Sequence, residues 1–451
     1  MTPGDPTRSP TRAALAKDLL TLAIPIALGF VGTNLMSLVD TAMVRPLGAA
    51  AVGAVGLGGA VYSFALLAGI GLLLGVDRAA AVALGAGRRD DVPRALVGGV
   101  FLAVGAGAPL ALLLRLASEH IGALGVAPEL VPIASSYLGT LAPAIVPALV
   151  FTAARLTLQA LDDTAAATTI LLVANLVNAL ADYGFIRGRF GLPALGASGA
   201  AVATVISQCF MVLAIFIWLA RKGIGVRRVG LRPDPETLRE LLRLGLPAAA
   251  HLLLEVGGFS MVALLAARIS AVSAAAHQVV IQVASFTFMI PLGLSLAGSV
   301  RVGHSLGRGE PALAKRFGDV TVLLGAGFMA ASGVTLALGW RPILGVFVED
   351  PAVLSLARGM LVVAALFQLF DGMQVTLSGA LRGAGDARSS MYGNLLGHWG
   401  VGLPIGCLLA FGAGLGVLGL WIGLALGLGS VAMFLLHRWM RRWRHPLPTA
   451  P

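Results

Sequence analysis

Apolar residues come in blocks along this chain and do not alternate with polar ones. Runs such as Gly53–Val76, Val97–Leu114, Ala200–Ala220 and Gly412–Leu436 contain no Lys, Arg, Asp or Glu. Uninterrupted apolar stretches of about 18 residues or more are the length of a bilayer-crossing helix, too long for strands. The pattern predicts twelve such spans, beginning near Asp18, Ala51, Arg94, Leu130, Ala166, Leu192, Leu238, Ala275, Arg316, Ala352, Ser389 and Gly414. The expected class is an all-α integral membrane protein.

The blocks also repeat. Leu22–Pro25 (LAIP) matches Leu244–Pro247 (LGLP), and Leu84–Arg88 (LGAGR) matches Leu306–Glu310 (LGRGE). Leu158–Leu161 (LQAL) matches Ser378–Leu381 (SGAL), and Gly196–Gly199 (GASG) matches Gly416–Gly419 (GVLG). The offsets are 222, 222, 220 and 220 residues, about half the chain. Six spans bring a chain back to the side it left, so the halves form a parallel repeat about an axis along the membrane normal, a plan used by some secondary transporters. The expected organisation is an N-terminal tail over 1–17, a six-helix lobe over 18–220, a linker over 221–240, a second six-helix lobe over 241–440 and a C-terminal tail over 441–451. The many glycines suit close helix approach.

Composition supports the membrane reading: 57% of residues are hydrophobic and 12% charged, against roughly 25% charged in soluble proteins. A net charge of +11 in a soluble chain would suggest a nucleic-acid partner. Here the bases cluster in alternate loops. The N-terminal tail, Arg88–Arg94, Arg221–Arg243, Arg301–Arg316, Arg382–Arg388 and Arg438–Arg444 hold most of them. The opposite side carries Arg45, Arg115, Arg187, Arg189, Arg268, Arg341 and Arg358. The positive-inside rule then puts both termini in the cytoplasm of a bacterial-type inner membrane. Nucleic acid is not an expected partner; membrane lipid is. Cys209 and Cys407 are too few for a disulfide framework. Met1–Lys17 leads into an uncleaved first helix with no signal-peptide cleavage pattern.

Four carboxylates interrupt the apolar blocks: Asp40, Asp182, Glu255 and Asp371, none beside a Lys or Arg in sequence. An ionisable group in hydrocarbon costs several kcal/mol and marks an ion or substrate path. Asn175, Asn178 and Asp182 follow at helical spacing, and Thr204 on the next span can join them around a cation. Pro25 shares a helix with Asp40 and favours a bend there, a hinge that binding at the acid could bias. His251 precedes Glu255 by four residues; HLLLE lacks the order of a zinc peptidase motif. Gln368 and Gln374 flank Asp371, and Phe288, Met289 and Phe370 offer an adaptable apolar wall, so these five are candidate substrate contacts. There is no GxxxxGK[ST] segment, so the chain brings no ATPase domain of its own. Asp162–Asp163 lacks the paired acidic spacing of a membrane prenyltransferase. The expectation is a transporter, not an enzyme, with no cofactor.

Four stretches resemble the multidrug and toxic compound extrusion (MATE) family: Leu38–Met43 (LVDTAM), Gly191–Ser207, Ala275–Gly309 and Leu366–Arg388. The likeness runs over essentially all of Asp18–Arg442. It implies two six-helix lobes and export of bulky, often cationic and amphipathic compounds by antiport with H⁺ or Na⁺. Asp40 matches the first-helix coupling acid, and Asn178 and Asp182 the amino-terminal polar cluster. Glu255 and Asp371 match acids of the Na⁺-associated branch, so Na⁺ at these two is one expectation. The chain departs from the family pattern at Arg45, Val82 and His304. A lipid-linked saccharide flippase of related architecture is an alternative, but it calls for a basic central cavity and the spans are nearly free of Lys and Arg. An integral-membrane transferase is a more distant one.

Overall fold

The computed structural model describes residues 10–124, 128–224, 233–345, 347 and 350–444. The outer parts of the expected tails (1–9 and 445–451) and part of the expected linker (225–232) lie outside the described residues. Twelve helical spans, long and apolar enough to cross a membrane, account for nearly all of the described chain. They are α1 (Arg12–Leu47), α2 (Ala50–Gly85), α3 (Asp91–Glu119), α4 (Val131–Ala160), α5 (Thr164–Arg187), α6 (Ala197–Arg221), α7 (Pro235–Ile269), α8 (Ala271–Gly307), α9 (Pro311–Leu338), α10 (Pro351–Gly383), α11 (Arg388–Gly412) and α12 (Gly416–Arg442). Among the described residues there is no strand.

Local chemistry sets several of the boundaries. Asp234 caps α7 by accepting from the Thr237 backbone N–H at 2.9 Å and its hydroxyl at 2.8 Å. These donors hold its carboxyl below the ordinary carboxylate range. Ser270 caps α8 by accepting from Ser273 N–H, and Asp350 caps α10 by accepting from Ala352 N–H. The sixth span opens at Ala197, later than the apolar pattern suggests, because Gly188, Gly191 and Gly196 at positive φ hold the preceding segment in turns.

By packing, the chain divides after Ala27 and after Ala249. Residues 28–249 form one unit, called here the amino-proximal unit; the segments before and after them form the carboxy-proximal unit. The division differs from the expected boundary at 221–240. It falls inside α1 and α7, two residues past Pro25 and two past Pro247. Sequence reading paired these prolines as a repeat but gave a hinge role to Pro25 alone.

Within the amino-proximal unit, the first half of α7 packs on α2. Gly71 lies against the backbone of Ala249, and Arg78 pairs with Glu240 at 2.5 Å. Within the carboxy-proximal unit, the first half of α1 packs on α8 in the same way. Gly293 lies against Ala23 and Ala27, and Arg301 pairs with Asp18 at 2.9 Å. Gly71 and Gly293, Ala27 and Ala249, and Asp18 and Glu240 are each 222 residues apart. Only glycine leaves room there for backbones to touch, which is how helices associate where lipid supplies no hydrophobic driving force. Each unit has its own core. Leu96, Phe151, Leu171 and Met211 anchor the first; Val280, Phe367, Trp421 and Leu428 anchor the second.

Candidate functional site

In the amino-proximal unit, Asp40 sits near the end of α1 and is buried, as are Asn178 and Asp182 on α5 and Thr204 on α6. The Thr204 hydroxyl donates to Asp40 Oδ2 at 3.3 Å and also leans on its own Ala200 carbonyl at 3.0 Å. The Asp40 carboxyl faces Asp182 and Asn178. Asp40 Oδ1, both oxygens of Asp182 and both polar atoms of the Asn178 amide make no hydrogen bond of ordinary geometry to protein. Two carboxylates this close repel unless a proton or cation lies between them.

Asn175 stands apart from this group. It bonds its own backbone at Leu171 (2.9 Å) and lies near Gly32, two turns before Asp40. The three-residue step from Asn175 to Asn178 turns it about 60° off the line that joins Asn178 to the acids. Sequence reading missed Tyr137 and Tyr62, two of four tyrosines in the chain. Tyr137 lies within electrostatic reach of Asp40, Asp182 and Tyr62, and the Tyr62 hydroxyl is buried without a hydrogen bond. Their signal was available: a phenol inside an apolar block needs a polar neighbour.

In the carboxy-proximal unit, Glu255 on α7 and Asp371 on α10 line one cavity of about 270 Å³. Phe259, Ile281, Phe288 and Phe367 form most of its apolar wall. Gln374 donates to Glu255 Oε2 at 3.3 Å, and His251 Nε2 stands 3.4 Å from the same oxygen. Gln368 donates to Thr287 at 2.8 Å and so joins α10 to α8 beside the cavity.

The apolar wall differs in part from expectation. Phe370 does not line this cavity; it packs over Gly429 of α12, within the core. Met289 is also absent from the cavity lining, although its neighbour Phe288 is present. Adjacent helical residues point about 100° apart, so both lie off the cavity face. Phe259 and Phe367 are the residues missed. Each lies four positions from an acid, the spacing that shares a face.

Among the described residues, Asp40, Asp182 and Asp371 have no ion pair, and Glu255 meets only His251. No cluster of three His, Cys, Asp or Glu is placed to hold a metal among the described residues.

A profile of the MatE family matches residues 25–183 and 247–408. The chain is 38% identical over 454 positions to a probable multidrug resistance protein NorM of Mesorhizobium japonicum, covering 98% of this chain and 96% of that protein. It is 36% identical to the multidrug resistance protein NorM of Burkholderia vietnamiensis, covering 98% and 96%. Among solved structures, the eukaryotic MATE transporter AtDTX14 superposes with a TM-score of 0.86 at 22% identity, over 96% of this chain and 98% of that one. An outward-facing multidrug resistance MATE family transporter superposes with a TM-score of 0.86 at 20% identity, over 96% of each.

Proposed function

The chain belongs to the MatE family of multi-pass membrane transporters, and from that premise we propose that it exports bulky, often cationic compounds by antiport with H⁺ or Na⁺. The observation that carries this reading is the pair of buried acid clusters, neither held by a Lys or Arg among the described residues. A carboxylate with a fixed basic partner has no use for a visiting ion; one without it must be neutralised by a proton, a metal cation or a cationic cargo. Coupling follows when ion and cargo compete for the same charge and favour opposite states of the protein. With the site open outward, the entering ion displaces the cargo. With the site open inward, the ion leaves and cargo binds. A membrane potential contributes about 2.3 kcal/mol per charge per 100 mV to the ion's entry.

The carboxy-proximal cavity, at about 270 Å³, falls just below the roughly 300–1,000 Å³ of sites for drug-sized ligands. In this conformation it suits the coupling ion with water, or one cationic group of a cargo. Both termini are assigned to the cytoplasm of a bacterial-type inner membrane, on the asymmetry of loop charge. The test is ethidium or norfloxacin efflux from cells carrying Asp40→Asn or Asp371→Asn at wild-type membrane abundance. Each is expected to lose most export. Unimpaired export by both would remove carboxylate coupling.

A further inference from the structure

The acids are not the only charge set deep in the amino-proximal unit. Arg155 is the one charged residue of α4, and Phe151 and Leu158, a turn to either side, belong to the unit's core. Five residues separate it from the end of α4 at Ala160, yet its side chain does not reach for that end. The guanidinium carbon stands 5.5 Å from the centre of the Phe30 ring on α1. Phe30 is 18 residues past the start of α1 at Arg12 and 17 before its end at Leu47, so the charge sits level with the middle of that helix. A snorkelling arginine does the opposite and carries its head to the interface. Among the described residues no Asp or Glu forms an ion pair with Arg155, and its Nε is enclosed without a hydrogen-bond partner. A phenyl face compensates a cation only in part. A buried charge without its opposite is costly, and an arginine at such a depth marks a substrate or ion path.

The same region of α1 is polar. From Phe30 toward Asp40 the helix carries Asn34, Ser37 and Thr41, at steps of four, three and four residues, which is one helical face. Asn34 and Ser37 are exposed and Thr41 partly so. Polar side chains within a span face water or protein, not hydrocarbon. Asp40 lies beside Thr41 at the far end of this stripe, about 15 Å along the axis from Phe30, with Asp182 facing it. A cation and two acids thus stand at opposite ends of one polar stripe.

We propose that Arg155 is a second anchor for cargo, one that takes a carboxylate, so that the amino-proximal unit receives amphipathic zwitterions with the ammonium group at Asp40 and Asp182 and the carboxylate at Arg155. The proposal rests on the reading above, in which the acids attract the cargo, and narrows the class of cargo. A guanidinium meets a carboxylate through two parallel N–H···O bonds, a match that an ammonium group does not make. A purely cationic molecule gains nothing from Arg155, and a purely anionic one is repelled by the acids. A dipolar one satisfies both ends of the stripe.

The experiment uses the full chain, in detergent and in cells, with norfloxacin, decarboxylated norfloxacin and ethidium as probes. In titration calorimetry the wild type should bind norfloxacin about tenfold more tightly than the decarboxylated analogue, one charged hydrogen bond's worth of discrimination. Arg155→Met should lose that preference, and its ratio of norfloxacin to ethidium efflux should fall about tenfold at wild-type membrane abundance. Arg155→Lys keeps the charge without the fork and should fall between the two. If Arg155→Met melts early in detergent, the wild-type preference and the Arg155→Lys ratio decide. Equal binding of the two quinolones by the wild type, or an unchanged efflux ratio in Arg155→Met whether or not efflux itself falls, would overturn the anchor and leave the exchange reading standing. Normal efflux of norfloxacin and ethidium by both Asp40→Asn and Asp371→Asn would instead overturn that reading, and the zwitterion pairing with it.

Discussion

In the amino-proximal unit two carboxylates, Asp40 and Asp182, face each other, and one hydroxyl, that of Thr204, donates to Asp40. In the carboxy-proximal unit Glu255 and Asp371 share a cavity, with Gln374 donating to Glu255 and His251 Nε2 3.4 Å from the same oxygen. The repeat does not relate the two clusters. The positions 222 residues from Asp40, Glu255 and Asp371 are Val262, Thr33 and Leu149. It does relate the packing, for Gly71 and Gly293 make the same crossing. The scaffold has therefore been kept twice while the acids were placed separately in each copy. One cluster sets two acids face to face; the other sets two acids on the wall of an apolar cavity.

The sharpest way to break the comparison is to give each cluster the base it lacks. Thr204→Lys should pair with Asp40, and Ile281→Lys with Glu255 or Asp371. Each is expected to cut efflux by about 100-fold or more, because a lysine in hydrocarbon costs about 2.5–3.5 kcal/mol unless paired and will seize the acid. If only one of the two abolishes efflux, one cluster alone couples transport. Gly71→Leu and Gly293→Leu test the shared scaffold. Overpacking costs about 1–3 kcal/mol, so both should lower melting temperature in detergent by similar amounts; a large inequality would mean the two crossings are not equivalent.

Removing one neutral donor should separate the clusters more finely. Thr204→Val takes away the hydroxyl that bonds Asp40, whereas Gln374→Leu leaves Glu255 its contact with His251. A net hydrogen bond is worth about 1 kcal/mol. Thr204→Val should therefore weaken the half-saturating response to the driving ion about fivefold, and Gln374→Leu by less. The smallest effect is expected at the ion pairs. Asp18→Asn and Glu240→Gln each break one bridge that is partly exposed, and partly exposed pairs contribute about 1 kcal/mol or less. Equal small losses in urea resistance would extend the symmetry; a loss in only one would end it at the glycines.

Much of this was legible along the chain. Apolar block length located all twelve spans, since a bilayer sets that length whatever the neighbours are. The acids stood out because charge is rare in such blocks, and helical spacing joined Asn178 to Asp182. What stayed hidden depends on contacts between distant segments. Asn394 lies 143 residues from His251 in sequence, and no periodicity links them. The Asp40–Thr204 bond, spanning 164 residues, was reachable only because both positions looked unusual for their surroundings. Phe370 misled because proximity to an acid in sequence is not proximity on a helix face.

The exchange of half-helices carries a historical consequence. If one repeat once stood alone, its first helix had to lay its leading half across a second copy, and the ancestor was a two-fold dimer with swapped arms. Joining the copies into one polypeptide preserved the swap. Two separately encoded halves, cut between α6 and α7 and produced in one cell, should still find each other, and neither should persist without its counterpart.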